Sequence, residues 1–362
     1  MDIEKDKHLN YFPALTGVRI VAAYLVYLHH TNPFSIDRFG SFLNHLVIEF
    51  HIGVSIFFVL SGFLITFRYF ELSNDKKKWF KKYVQNRIAR VYPMYFILTS
   101  ITLFLFLFQN KQGDQPVGIY LLNITFLRGF FDDLKFTLVG QGWTLTVEEC
   151  FYFTAPLIFI VIRMNKWTIF LLASGIIIIG CLLVKISVGI DFYGFFKSYQ
   201  FMFIYTFFGR CFEFFCGIGL ALFLKNQLIK ERAGYAYTYC GLLLMALLIL
   251  FLSLLGKHGE SGITTVFGIV INNFLLPISI AFFFYGLIRE SSIVKKLLSS
   301  PLLVMLGKAS YTFYLIHAGV FYLFINQHVT QNYVLVFLSL NFIAIILWRF
   351  VEEPLNKAIR NL

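Results

Sequence analysis

About ten apolar runs dominate this chain, each near the roughly 20 residues that cross the hydrocarbon core of a bilayer. Backbone in hydrocarbon must satisfy its own hydrogen bonds, so runs of this kind are helices. The spacing of the runs predicts an all-α, polytopic membrane protein with about ten transmembrane helices. They fall near Phe12–Thr31, Ile52–Phe70, Val91–Phe108, Trp143–Ile162, Trp167–Val184, Phe201–Leu224, Tyr235–Leu255, Thr264–Ile288, Leu303–Ile325 and Tyr333–Phe350. Between the third and fourth, Gly118 to Val139 is semi-polar and aromatic, and is expected to be a loop with an interfacial or re-entrant piece. No soluble domain, linker, low-complexity tract or internal repeat stands out. Residues 1–362 are expected to form one transmembrane domain.

Composition agrees. Only 14% of residues are charged, against about a quarter in a soluble domain. The 46 Phe and 20 Tyr suit helix packing and interfacial belts. A net charge of +12 would suggest nucleic acid in a soluble protein. Here it is read instead as the excess of Lys and Arg that collects in cytoplasmic loops. With both termini cytoplasmic, the inner segments carry KDKHL, the cluster from Lys76 to Lys82, Arg87, Arg90, Arg163, Lys166, Lys225, Lys230, Arg232, Arg289, Lys295, Lys296, Lys357 and Arg360. The outer segments keep only Arg38, Lys111, Arg128, Lys135, Lys197 and Lys257. The expected location is the inner (cytoplasmic) membrane. The mixed charge of MDIEKDKHLNYFPALTG and Arg19 inside the first run argue against a cleavable leader. Five cysteines lie in or beside apolar runs without CxxC spacing, and are read as small buried residues rather than disulfides, nucleophiles or metal ligands.

Charge in mid-span costs several kcal/mol on insertion scales and should face the bundle interior. The residues concerned are Arg19, His29, His30, Glu148, Glu149, Arg210, Glu213 and His317. Arg19 and His30 stand eleven residues apart, which returns a helix to within about 20° of its starting direction, about 16 Å along the axis. One extended ligand could touch both; a snorkelling Arg and an interfacial His would give the same spacing. The fourth run opens GWTLTVEECFYFTAP, where Glu148 and Tyr152 share a face. A carboxylate at that depth could orient a histidine and raise its basicity, as a general base requires, or could pair with Arg210 in packing. Arg210 and Glu213 are three apart and can pair with each other. In LGKASYTFYLIHAGV, Ser310, Tyr314 and His317 form one polar stripe. Arg87 and Arg90, at i and i+3 ahead of the third run, could clamp a diphosphate or simply carry inner-surface charge. Gly53, Ser61 and Gly62 are read as sites of close helix approach.

Taken in order, these segments resemble the acyltransferase 3 family of multi-pass membrane acyltransferases, over nearly the whole chain. FPALTGVRIVAAYLVYLHH is similar to the family's opening LDGLR helix with its R-x10-H spacing, met here by Arg19 and His30. GVSIFFVLSGFLI, RIARVYP, WTLTVEECFYFTAP, GRCFEFFCGIGLA, LGKASYTFYLIH and FVEEPLNK, the last resembling F-x-E-x-P, follow on the expected spans. Thr16 stands where the family commonly has Asp, and Cys150 where Gln is frequent. The esterase-like soluble domain that some relatives append is not expected here. The resemblance implies an acetyl or other short acyl group taken from cytoplasmic acyl-coenzyme A. The implied acceptor is a hydroxyl of an envelope carbohydrate or lipid-linked glycan. It implies His30, Glu148 and Arg19 as catalytic residues, with His30 the base or an acylated nucleophile. It implies Arg87 and Arg90 as donor-phosphate residues, and Tyr314 and His317 as residues that line the donor channel or help to stabilise the oxyanion; no metal and no nucleic acid are expected.

The main rival is a secondary transporter or flippase for an envelope precursor, which would also bury Arg, Glu and His but should carry repeat symmetry and matching interrupted helices. A haem protein using His29, His30 and His317 would need His pairs facing across helices. A polymerase or ligase would be expected to have a larger external loop than Gln109 to Gly142.

Overall fold

A computed structural model of the chain describes residues 11–71, 75–108, 116–225, 234–256 and 259–361. KDKHL, Lys111, Lys230, Arg232 and Lys257 lie outside them. The described residues are helical throughout, apart from turns and one isolated antiparallel bridge between Phe131 and Phe195. Eight helical segments are long and apolar enough to cross a membrane. The other two expected spans are helices as well. Pro13–Thr31 carries Arg19 and two histidines, and Pro301–Ile316 is shorter than a full crossing. The lipid-facing pattern is plain on the helix Trp143–Met164. Phe153, Leu157, Ile160 and Met164 repeat at helical spacing and are exposed, while Phe151, Ala155, Ile158 and Ile162 are buried.

The chain forms two compact units, each assembled from separate stretches: Met1–Glu71 with Phe212–Ser310, and Leu72–Cys211 with Tyr311–Leu362. In the first unit, α1 (Pro13–Thr31) begins on Pro13, where a missing N–H costs nothing, and ends at Asn32 before Pro33. α2 (Ile36–Ile48) runs through a 3-10 turn into α3 (Gly53–Tyr69), so the second expected span starts earlier than its apolar run. Leu15, Val18, Ala22, Ile56, Val59 and Phe63 pack in the core of this unit.

In the second unit, α4 (Lys76–Phe108) is one continuous helix, so Arg87 and Arg90 lie well inside it rather than at its start. α5 (Pro116–Ile124) is the short helical piece of the expected aromatic loop. α6 (Trp143–Met164) and α7 (Thr168–Ile186) follow the fourth and fifth runs. Two of these helices hold an internal proline, which strips the carbonyl four residues earlier of its helical donor. In each case another helix supplies one. The Asn356 side chain donates to Ala89 O at 2.9 Å, opposite Pro93, and the Tyr83 hydroxyl donates to Tyr152 O at 2.7 Å, opposite Pro156.

Two expected spans are interrupted. The sixth is split into α8 (Tyr199–Tyr205) and α9 (Phe207–Lys225) by extended backbone at Thr206. After α10 (Ala236–Leu255), the eighth is α11 (Val266–Val270), a π turn over Ile271–Leu275, and α12 (Leu276–Arg289). That turn sits just ahead of Pro277, which has no N–H to continue the α ladder. α13 (Ile293–Leu298) leads into the ninth span, which stops as α14 (Pro301–Ile316) and resumes as α15 (Val320–His328). The break falls at Gly319, whose φ of 98° few other residues accept. α16 (Tyr333–Leu347) passes through a second π turn ahead of Pro354 into α17 (Glu353–Arg360).

Candidate active site

In the first unit, α1 is unbroken from Pro13 to Thr31, so Arg19 and His30 do lie on one face of a single helix. Arg19 is half-buried and His30 exposed. The His30 ring approaches Val26 O through Nδ1 at 3.0 Å. A carbonyl only accepts, so Nδ1 carries the hydrogen and Nε2 is the basic nitrogen of the neutral ring. His29 is held the same way by Ile48 O at 2.6 Å. Its ring meets His30 edge to face at 5.0 Å and His51 at 5.6 Å. His51 in turn is fixed by buried Glu49, at 3.1 Å from Nε2. Glu49 also accepts from the Ser261 hydroxyl at 2.8 Å and Gly262 N at 2.7 Å. This is no Ser-His-Glu triad, because both Ser261 and Glu49 contact the same ring nitrogen. It is an anchor for the row of rings that ends in His30. Nothing in the residue types of EFHIG marked Glu49 and His51 beforehand.

The second unit holds Arg87, Arg90, Glu148, Tyr314 and His317. The Arg87 guanidinium lies over the Tyr152 ring, 5.4 Å from its centroid. Arg90 lies over Tyr311 at 5.5 Å and donates from Nη1 to Glu352 at 3.0 Å. Glu352 is buried and also accepts from the Thr312 hydroxyl at 2.6 Å. Arg90 is therefore tied into a buried ion pair, while its Nη2 is buried without a hydrogen-bond partner. Glu352 is the acid of the closing FVEEP segment, so the motif was visible but its partner was not.

Glu148 sits half-buried in the second turn of α6. Near the start of that helix the Thr144 hydroxyl meets the Tyr314 hydroxyl at 3.0 Å. His317, fully buried, contacts Tyr314 O through Nδ1 at 2.7 Å, which again leaves Nε2 as the basic nitrogen. The Gln141 amide donates to Ala318 O at 2.9 Å, so the break after α14 is pinned to the amino end of α6. Tyr314 and His317 are thereby gathered at that helix end.

Sequence reading placed Arg128 among the outer loop charges. The structure buries it completely. Its Nη1 donates to Asn123 Oδ1 at 2.7 Å and to Thr137 O, and its Nη2 to Val139 O. Burial pushes the guanidinium below its ordinary value, opposed by nearby Tyr95 and Tyr314, and an arginine stays charged throughout. The flanking apolar and aromatic residues of NITFLRGFF were the available sign that this charge is not a surface one.

The stretch from the Arg19–His30 helix to the start of FVEEP is matched by a family profile described as an acyltransferase domain, over residues 12–350. The chain belongs to the acyltransferase 3 family. This acyltransferase-family chain is 25% identical to a candidate O-acetyltransferase of Staphylococcus aureus (strain COL) over 390 residues, 98% of this chain and 58% of that one. It is 24% identical to the O-acetyltransferase OatA of Staphylococcus aureus (strain NCTC 8325 / PS 47) over 376 residues, 98% of this chain and 59% of the relative. The family member described here thus spans less than two thirds of the length of these relatives. No solved structure matches it significantly.

Proposed function

We propose that this chain is an O-acyltransferase of the inner membrane, moving an acetyl or other short acyl group from acyl-coenzyme A to a hydroxyl of a carbohydrate or lipid-linked glycan. The family membership supports acyl transfer, and the relatives' names support oxygen as the acceptor atom and acetyl as the group. The observation that carries the chemistry is His30: an exposed imidazole whose Nδ1–H is spent on Val26 O, leaving Nε2 as a base.

In this reading His30 Nε2 takes the proton of the acceptor hydroxyl as its oxygen attacks the thioester carbonyl. A C–O bond forms, the C–S bond breaks, and the proton passes to the departing thiolate. Arg19, on the same face, and Glu148 assist from the donor path and from α6. Arg87 and Arg90 bind donor phosphates from the cytoplasmic side, and Tyr314 and His317 line the acyl end of the donor site.

The test uses purified protein in liposomes with acetyl-coenzyme A and a glycan acceptor. Loss of a general base costs about 10²–10⁴-fold in rate. His30→Ala should therefore lose transfer while still binding coenzyme A, whereas His29→Ala should stay within about tenfold of wild type. Equal rates for His30→Ala and wild type would rule the mechanism out.

A further inference from the structure

Arg128 is used by none of the steps above, yet with Arg210 it is one of the two largest fully buried side chains among the described residues. The three acceptors that its terminal nitrogens bond, Asn123 Oδ1, Thr137 O and Val139 O, are all neutral. A full charge buried among dipoles costs several kcal/mol. Neutral donors would hold the same loop oxygens without that cost, so loop closure alone does not account for a guanidinium.

Three further observations give the charge a direction. The guanidinium lies flush against the backbone where α6 begins: a Cβ added at Gly142 would stand 2.1 Å from Arg128 Nη2. Only glycine leaves room for it there. The helix it abuts is 22 residues long and turns its positive dipole end to that point. Finally, two buried polar atoms at this spot lack partners, the Nε of Arg128 and the Oε1 of Gln141, both on side chains over nine-tenths buried. The Tyr314–Thr144 hydroxyl pair sits two residues further into the same helix.

We infer that Arg128, the amino end of α6 and the Tyr314 hydroxyl form an electropositive site that receives the thioester carbonyl oxygen and stabilises the negative charge it gains during acyl transfer. The inference rests on the acyltransferase reading above. When the acceptor oxygen bonds to the carbonyl carbon, the C=O π electrons move onto that oxygen. When they return, the C–S bond breaks and the thiolate leaves. Preorganised donors aimed at such an oxygen act most strongly where water is excluded. Nε, still carrying its hydrogen, and the hydroxyl of Tyr314 are the donors offered.

The experiment compares wild type, Arg128→Gln, Arg128→Lys and Arg128→Ala in liposomes. It reads kcat with acetyl-coenzyme A, affinity for an unreactive thioether analogue of it, and thermal melting. Loss of one oxyanion donor costs about 10²–10³-fold in kcat. Arg128→Gln should show that loss with analogue affinity kept within about twofold, and Arg128→Lys should retain more activity than Gln. Added guanidinium ion should restore part of the rate of Arg128→Ala. A wild-type kcat in Arg128→Gln would overturn the inference. So would a parallel fall of kcat, affinity and melting temperature in all three variants with no guanidinium rescue, which is the signature of a loop clamp. Absence of acyl transfer in the wild type would instead remove the functional reading itself.

Discussion

Arg87 and Arg90 look alike in sequence and are held differently. Arg87 rests on an aromatic face, whereas Arg90 is the counter-ion of buried Glu352. Removing one member of a buried pair strands the other and costs about 3–5 kcal/mol. Arg90→Gln should therefore lower the melting temperature markedly, and Arg90→Gln with Glu352→Gln should recover most of the loss, since both charges are then gone. Arg87→Gln should weaken coenzyme A binding tenfold or more, as one charge-assisted bond to phosphate is worth about 1.5–3 kcal/mol. Calorimetric titration and thermal melting of the four proteins check both halves. Unchanged donor affinity in Arg87→Gln would return that residue to plain surface charge. Neither the Glu352 partnership nor the His51–Glu49 anchor could be read from spacing, because each joins residues far apart in the chain or on a turn of no special composition.

Helices in this protein are shaped by small residues and by proline. α3 and α9 meet where Gly62 and Gly217 allow backbones to touch. A Cβ at Gly62 would lie 2.2 Å from Phe214 O, and one at Gly217 would lie 2.1 Å from Val59 O. Gly219, two residues along α9, has nothing within 4 Å of its would-be Cβ. Gly62→Val should thus lower stability by about 1–3 kcal/mol through overpacking, while Gly219→Ala should be neutral or slightly stabilising. Melting of the two variants in detergent distinguishes them, and equal effects would discount the close approach. The GVSIFFVLSGFL pattern made the Gly62 contact legible. The break in the ninth span was not: LIHAGVF is apolar enough to read as continuous helix, and only the left-handed Gly319 and the Gln141 bond to Ala318 end α14 there.

The two compact units are interleaved in sequence, so α9 and α14 each carry residues of both. The charge bias is the ground on which we propose the sides. The run from Lys76 to Lys82 and the α17 end, with Lys357 and Arg360, are expected in the cytoplasm. Single cysteines placed at those positions, in a background without the native five, should resist an impermeant thiol reagent added to intact cells. Labelling there from outside would reverse the topology and with it the entry side of the donor.

The sequence alone established a multi-span helical membrane protein and its family. Both follow from local properties: unbroken apolar runs can be nothing but helix in lipid, and the motifs occur in order along one chain. It also gave the shared face of Arg19 and His30, since one unbroken helix fixes that angle. Tertiary structure decided the rest. Which of two neighbouring arginines carries a buried counter-ion, where a helix stops, and which loop cation is drawn fully inside depend on partners supplied by distant segments. Arg128 is the clearest case. A single charge between aromatic residues is ambiguous until Asn123, Thr137, Val139 and the bare backbone of Gly142 close around it.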